Sequence, residues 1–236
     1  MSQTYEANYN GYQDWYADQN AKFESVYNNE ELAEEHPMEY IGELLFVIMQ
    51  TYNGYPAWTG EGIDHAANDT TAISNLEGLF SNPQSYSTDQ AKDIINQYDE
   101  MYQQAYSVAS PNSPSYDPSN PFFNVDQTII DQSPSIFPSG WTFPTGSNLT
   151  DDDVTECQSY WGTQWEMAAG GNTSEITATE TAFSNELSAV DGVNSAMQSE
   201  TKYFQSQSQE IQSLFQNTTK SVAGFHQTSV QNEIPS

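Results

Sequence analysis

The sequence predicts an all-α protein, and three features of the 236-residue chain carry this prediction. The first is an apolar series that recurs every seven residues near the C-terminal end. The second is a set of earlier segments, between residues 37 and 109, whose apolar residues fall on helical faces. The third is a Pro-rich stretch, residues 110–149, in which a long helix is impossible. Together they predict a helical hairpin or coiled coil with a long C-terminal heptad helix and a Pro-rich irregular surface insertion.

The N-terminal 36 residues form a polar, aromatic segment, for which we predict a helix from about Trp15 to Asn28. Residues 37–109 follow as a group of N-terminal helices, the first of which has Pro37 in its opening turn. We expect this helix to end at Gly54 and Pro56, and further helices to cover His65–Phe80 and Asp89–Val108. The predicted packing face of the first helix consists of Ile41, Leu44, Leu45, Ile48 and Met49.

The Pro-rich residues 110–149 also contain many aromatic and β-branched residues, too many for a flexible linker. We therefore expect an ordered insertion on the surface, with a short hairpin of strands at Phe122–Ile130 and Ile136–Phe143. The insertion should not join the helical core. Residues 150–236 then return to helix, beginning with an acidic N-cap at Thr150 and a helix that continues to about Ala169.

The long C-terminal helix carries the predicted assembly seam, because apolar residues at strict seven-residue spacing describe a helix that packs along one line. Thr218 interrupts the main row, and a second row is polar at Asn194, Thr201 and Ser208, which favours a fixed register at the expense of stability. The seam serves either an intramolecular hairpin or assembly with copies of the chain. Its residues are Ile176, Phe183, Leu187, Val190, Met197, Phe204, Ile211, Phe215, Val222 and Phe225.

The composition is acidic and excludes several classes of partner. Four Lys and no Arg stand against 33 Asp and Glu, for a formal net charge of −29. Binding to nucleic acid or to an anionic membrane through basic patches is therefore not expected. The apolar run from Ile41 to Met49 is too short to span a bilayer, and the N-terminal residues do not resemble a cleaved signal peptide. We expect a secreted protein without such a signal, with a cytoplasmic location as the alternative.

The sequence offers weak candidates for catalytic or metal chemistry. Glu61 and Asp64 lie near His65, and Glu34 and Glu35 precede His36, but neither group has a second His at ligand spacing. The acidic run 151–153 is explained by helix capping. Neither a Gly-rich phosphate loop nor a nucleophile elbow occurs. We therefore expect no cofactor, no metal and no enzymatic activity, although two carboxylates and aromatic platforms leave a glycosidase open.

Two stretches carry a resemblance to a known family: Tyr40–Tyr52, with the apolar run GELLFVIM, and the Gln- and Ser-rich Glu200–Phe215. An apolar N-terminal helix, a short helical middle, a variable insertion and a long C-terminal coiled-coil helix resemble type III secretion filament subunits of the EspA and SseB kind, and more loosely needle-tip proteins. The resemblance implies that both helices build a coiled coil and that subunits stack into a hollow extracellular tube that passes effectors.

From these features we expect a structural subunit of an exported extracellular filament or secretion tip, which forms a homo-oligomer through its coiled-coil helices. A dedicated secretion chaperone is a further expected partner. Two alternatives stay open. The first is a non-filamentous coiled-coil binding protein, such as a secretion chaperone or effector, and the second is a carbohydrate-active enzyme.

Overall fold

A computed structural model describes the backbone of residues 2–120, 122–143 and 149–232, and the side chains of residues 14–120, 122–143 and 149–221. Over this part the chain forms helices and no strands, so the predicted all-α class is confirmed. Two 3₁₀ turns, Pro83–Ser85 and Ser133–Ser135, connect neighbouring helices. The helices are α1 (Ser2–Tyr27), α2 (Glu30–Glu35), α3 (Pro37–Ser81), α4 (Thr88–Ala109), α5 (Phe123–Gln132), α6 (Asp151–Ala169) and α7 (Ser174–Asn232).

The chain divides into two compact units, each built from segments that are not adjacent in sequence. Unit 1 contains Gln3–Gly62 together with the chain from Met197, and unit 2 contains Ile63–Ala196. The helices α3 and α7 each contribute one half to either unit. The unit boundaries therefore lie inside two helices rather than at the Pro- and Gly-rich stretches that mark boundaries in the sequence.

Unit 2 has a dense core of aromatic and aliphatic side chains. The Trp161 ring packs edge-on against Phe80, with centroids 6.4 Å apart, and its indole N–H donates to the Ile136 carbonyl at 2.8 Å. Burying a Trp is favourable here because its polar N–H has a partner. The largest fully buried side chains of the described residues, all in this unit, are Trp161, Tyr98, Phe80, Phe122, Phe137, Phe183, Ile73, Leu76, Leu79, Ile95, Ile129 and Ile136.

Two capping boxes fix the starts of α4 and α6. Ser87 accepts from the Gln90 amide, and the Gln90 side chain accepts from the Ser87 amide. Thr150 and Asp153 make the same reciprocal pair at the start of α6. Each box satisfies two amides that a helix end leaves without an intrahelical partner. At the other end of α6, Gly171 adopts φ 96°, a conformation that L-residues with a side chain rarely take.

The Pro-rich residues 110–149 behave differently in their two parts. Ser110–Asn120 is irregular and largely exposed, as predicted. From Phe122 onward the prediction of a surface insertion is wrong, because these apolar side chains enter the core of unit 2. The apolar side chains of this segment that are at most 2% exposed are Phe122, Val125, Ile129, Ile136 and Phe137.

The predicted hairpin of strands in this segment is also wrong. Residues Phe123–Gln132 form α5 instead, followed by the 3₁₀ turn Ser133–Ser135. The buried positions Phe122, Val125 and Ile129 are spaced by three and four residues, which is the period of a helix and not the alternation of a strand. The β-branched residues were therefore misleading, because packing against α4 overrides their strand preference.

The first predicted helix boundary, at Gly54 and Pro56, is wrong as well, because α3 continues through both residues. A helix-interior Pro removes one backbone hydrogen bond and costs about 3 kcal/mol. Packing offsets this cost: the Trp15 ring of α1 lies so close to Gly54 that a Cβ there would overlap it. Pro56 is thus tolerated inside a helix that is held by neighbours around it.

Candidate functional site

The N-terminal part of the predicted seam lies in the core of unit 2. Ile176, Phe183 and Val190 are at most 5% exposed, and the Phe183 ring centroid lies 5.7 Å from that of Phe80. Leu187 is only half-buried, whereas its neighbour Glu186 is fully buried. In this unit the second row of the seam therefore follows the first by three residues, through Thr179 and Glu186, and not by four.

The C-terminal part of the seam lies in unit 1, where α7 packs against α3. Residue numbers rise along α3 as they fall along α7 in the pairs Asn53–Ser208, Tyr55–Phe204 and Thr59–Thr201, so the two helices run antiparallel. The Phe204 ring lies 3.8 Å from that of Tyr55 and 5.4 Å from that of Tyr52, centroid to centroid. This arrangement is the helical hairpin that the heptad pattern predicted.

Burial along this part of the seam is partial. Met197, Phe204, Ile211 and Phe215 are half-buried, in contrast to the seam residues of unit 2. The backbone at Val222 and Phe225 is helical, but the side chains of these two seam residues lie outside the described residues. The half-buried row retains apolar surface that the single chain does not cover.

Polar residues of the second row bond across the hairpin. The hydroxyls of Thr59 and Thr201 lie 2.6 Å apart, and Thr59 is only 6% exposed. The Ser208 hydroxyl donates to the side-chain oxygen of Asn53. A register shift would separate both pairs, while the Thr59 and Thr201 hydroxyls would keep their bonds to carbonyls of their own helices. These polar contacts therefore specify the antiparallel register of α3 and α7.

The predicted N-terminal packing face is less buried than expected. Leu44, Leu45, Ile48 and Met49 are half-buried, and Ile41 is exposed. The buried residue of this stretch is Val47. Phe46, also on α3, is 48% exposed. It borders an open groove of about 560 Å³ between α1 and α3, which is lined by Ala21, Lys22, Ser25, Val26, Phe46, Val47 and Gln50.

Exposed apolar side chains concentrate in unit 1. Of the nine large hydrophobic residues that are exposed in the described chain, seven lie in this unit and two, Tyr106 and Tyr116, in unit 2. Scattered exposed apolar residues are normal, whereas a contiguous patch of them marks an interaction surface. We call this set the apolar surface of unit 1; it comprises Tyr16, Tyr27, Met38, Ile41, Phe46, Tyr203 and Leu214.

A buried polar network in unit 2 was not found from the sequence. The Tyr98 hydroxyl lies 2.6 Å from Glu186 Oε1 and 2.8 Å from Ser133 Oγ, and Ser133 Oγ donates to the Ile129 carbonyl at 2.6 Å. All three side chains are at most 1% exposed. Burial raises the pKa of Glu186 to about 8, although the Tyr98 hydrogen bond opposes this. The sequence did contain a sign of this network, because the spacing of Phe183, Glu186 and Val190 places the three residues on one face of the helix.

A second buried group surrounds His65, which the sequence singled out as a weak ligand candidate. His65 Nε2 lies 3.4 Å from Asp69 Oδ2, and the ring packs edge-on against Phe122. Burial lowers the pKa of His65 to about 4 and raises that of Asp69 to about 7. Between these values both groups are neutral, so the contact is not an ion pair in this pH range. Burial and the Asp69 charge also raise the pKa of Asp126 well above its usual value.

The other candidates have structural roles. Asp151 pairs with Lys92 at 3.0 Å, and Asp153 caps α6, where hydrogen bonds from Thr150 lower its pKa. Cys157 is buried, and burial raises the pKa of its thiol, so the thiolate is disfavoured. Among the residues with described side chains, no group of three or more His, Cys, Asp or Glu residues is arranged to hold a metal ion.

Comparisons with protein-family models, with curated proteins and with solved structures found no match to this chain. Within its described residues, none of the helices combines the length and the apolar character needed to cross a membrane.

Proposed function

We propose that this protein is a structural subunit of an exported extracellular filament or secretion tip, which self-assembles through the helices of unit 1. The observation that carries the proposal is the apolar surface of unit 1, next to a seam whose described residues are only half-buried. A second copy of the chain is the partner we infer, because the same helices already pair with one another along this seam.

The antiparallel α3–α7 pair supports this role physically. A hairpin of two helices buries one line of each helix and leaves the flanks available to further helices. In unit 1 these flanks carry Ile41 and Phe46 on α3 and Tyr203 and Leu214 on α7, which are 40–56% exposed. Covering such side chains in an assembly is favourable by about 25 cal/mol per Å² of apolar surface.

The alternatives find less support. A secretion chaperone or effector would use the same seam for a different partner, and the resemblance of the helix order favours self-assembly. The carbohydrate-active enzyme requires carboxyl groups that reach a sugar. Asp69 and Asp126 are two buried carboxyl groups whose charges interact. Both are at most 4% exposed, so they do not reach a sugar in solution. A dedicated secretion chaperone that covers the apolar surface before export fits the proposal.

The proposal predicts that Leu214→Gln weakens assembly without unfolding the chain. Leu214 is 56% exposed, so the subunit loses little when it is replaced. Covering the exposed half of this leucine contributes about 0.8–1.5 kcal/mol, so we expect the critical concentration for assembly to rise about fourfold to tenfold. Sedimentation and negative-stain microscopy of purified protein measure this effect, with circular dichroism as the test of folding.

Two further variants serve as controls. Tyr106→Gln removes an exposed aromatic residue of unit 2 and should assemble like the wild type. Phe204→Asp places a charge against Tyr55 inside the hairpin and should unfold unit 1 as well as abolish assembly. The proposal fails if the wild type stays as discrete particles at every concentration and ionic strength, or if Leu214→Gln and Tyr106→Gln assemble equally.

A further inference from the structure

We propose that Glu186, Tyr98 and Ser133 form a proton-dependent latch in unit 2, which holds α7 against α4 while Glu186 is neutral and releases it when Glu186 ionises. The latch joins three elements: Glu186 lies on α7, Tyr98 on α4, and Ser133 at the start of the 3₁₀ turn after α5. This inference is independent of the proposed function, since it concerns unit 2 alone.

The hydrogen atoms of the network favour a neutral Glu186. Four oxygens form a chain from Glu186 Oε1 through Tyr98 Oη and Ser133 Oγ to the Ile129 carbonyl, at successive distances of 2.6, 2.8 and 2.6 Å. Three contacts need three hydrogens. A neutral Glu186 supplies them, because its O–H can donate to Tyr98, Tyr98 to Ser133, and Ser133 to Ile129.

An ionised Glu186 leaves this chain one hydrogen short. Tyr98 then donates to the carboxylate, and Ser133 can donate either to Tyr98 or to the Ile129 carbonyl, so one of these two contacts, at 2.8 and 2.6 Å, has no hydrogen between its oxygens. The second carboxylate oxygen, Glu186 Oε2, is buried without a hydrogen-bond partner. A buried ion in this position is costly, so ionisation favours conformations in which water reaches Glu186.

The surroundings supply little compensating charge. Burial raises the pKa of Glu186, and on α4 the hydrogen bond of Tyr98 opposes this rise. Burial raises the pKa of Tyr98 as well, and the charge of Tyr102, on the same helix, adds to that rise. Ser133, after α5, is polar but uncharged. On α7 the nearest side chains of the same face are Phe183 and Val190, which are apolar. The proton on Glu186 is therefore the group whose gain or loss decides whether the contact is satisfied.

The pH range of the latch follows from linkage. The pKa of Glu186 rises from 4.5 to about 8 on folding, so the closed form holds a proton that the open form releases between these values. The stability contributed by this proton is fully present below pH 4.5 and is lost as the pH rises towards 8. The equilibrium constant for opening should rise up to about tenfold per pH unit over this range and level off above it.

Hydrogen exchange of the full chain between pH 5 and 9, corrected for the intrinsic rate, tests the latch at peptides that cover 182–190. Glu186→Gln keeps an N–H that can donate to Tyr98 but cannot ionise. In this variant the equilibrium constant for opening at peptides that cover 182–190 should therefore lose up to about a tenfold rise per pH unit. Glu180→Gln, at an exposed position on the same helix, should leave that dependence unchanged.

The protonation state of Glu186 can also be measured in the wild type, so the test does not depend on the variant folding. The carboxyl carbon of Glu186, followed by NMR with selective ¹³C labelling, should titrate well above the ordinary range of glutamate. An ionised Glu186 in the folded protein at pH 6 would overturn the proposal. Equal pH dependence of opening in the wild type and in Glu186→Gln would overturn it as well.

Discussion

At the scale of single residues, buried carboxyl groups make the stability of unit 2 depend on pH. Asp69 is 4% exposed and contacts His65, whose ring also lies 3.1 Å from the Gln104 amide nitrogen. Burial keeps both members of the Asp69–His65 pair in their neutral forms over part of the pH range. The pair lies within one turn of α3, and the Gln104 contact joins it to α4; the neutral pair loses its advantage when the acid ionises.

We predict that Asp69→Asn stabilises unit 2 near pH 7.5. The pKa of Asp69 rises from 3.8 to about 7 on folding, so the stability from its proton is full below about pH 4 and is lost as the pH rises to 7. This difference in pKa corresponds to at most about 4 kcal/mol, and we expect the variant to recover about 1–3 kcal/mol of it. Urea unfolding, followed by near-UV circular dichroism, measures the free energy.

The control for this experiment is Asp64→Asn, which removes an exposed carboxylate from the same helix and should leave the free energy of unfolding within about 0.5 kcal/mol of the wild type. His65 acts in the opposite direction between pH 4 and 6.5, but it is present in all three proteins. If Asp69→Asn is less stable than the wild type at pH 7.5 and equally pH-dependent, the neutral pair is not the form present in the folded protein.

At the scale of helices, the sequence predicted the features that depend on neighbouring residues. Its predictions were wrong where contacts between distant residues determine the structure. Thr150 caps α6 as predicted, because capping needs only neighbouring residues. The continuation of α3 through Pro56 depends on Trp15 and Phe204, which are distant in sequence. In unit 1 Thr201, Phe204 and Ser208 contact α3, whereas the three-residue offset that buries Glu186 depends on which face of α7 packs in the core of unit 2.

Helix α5 lies in the core of unit 2, so its adjacent residues Ile129 and Ile130 should differ in their contribution to stability. Ile129 is fully buried, and Ile130 is half-buried. Ile129→Ala removes buried methyl groups and leaves a cavity, so we expect a loss of about 2–5 kcal/mol in the stability of unit 2. Ile130→Ala, the matched control, should cost much less. Equal, small losses in thermal unfolding would mean that the segment lies outside the core.

At the scale of the whole molecule, the formal charge overstates the repulsion between subunits. The value of −29 counts every carboxyl group as ionised. Burial raises the pKa of Asp69, Asp126 and Glu186, so these groups remain at least partly neutral in the folded protein. The remaining charge is still large, and a polymer of such subunits must keep it screened or spaced.

We therefore predict that assembly becomes easier as salt is raised from very low to moderate concentration, and as the pH is lowered to mildly acidic values. The screening length falls from about 30 Å at 0.01 M to about 8 Å at 0.15 M ionic strength, so repulsion between neighbouring subunits becomes short-ranged. Light scattering at matched protein concentration measures the onset of assembly. A non-ionic osmolyte at the same osmolality is the control, because it adds no screening. Polymers that form best in very low salt at high pH would contradict a self-assembling subunit of this charge.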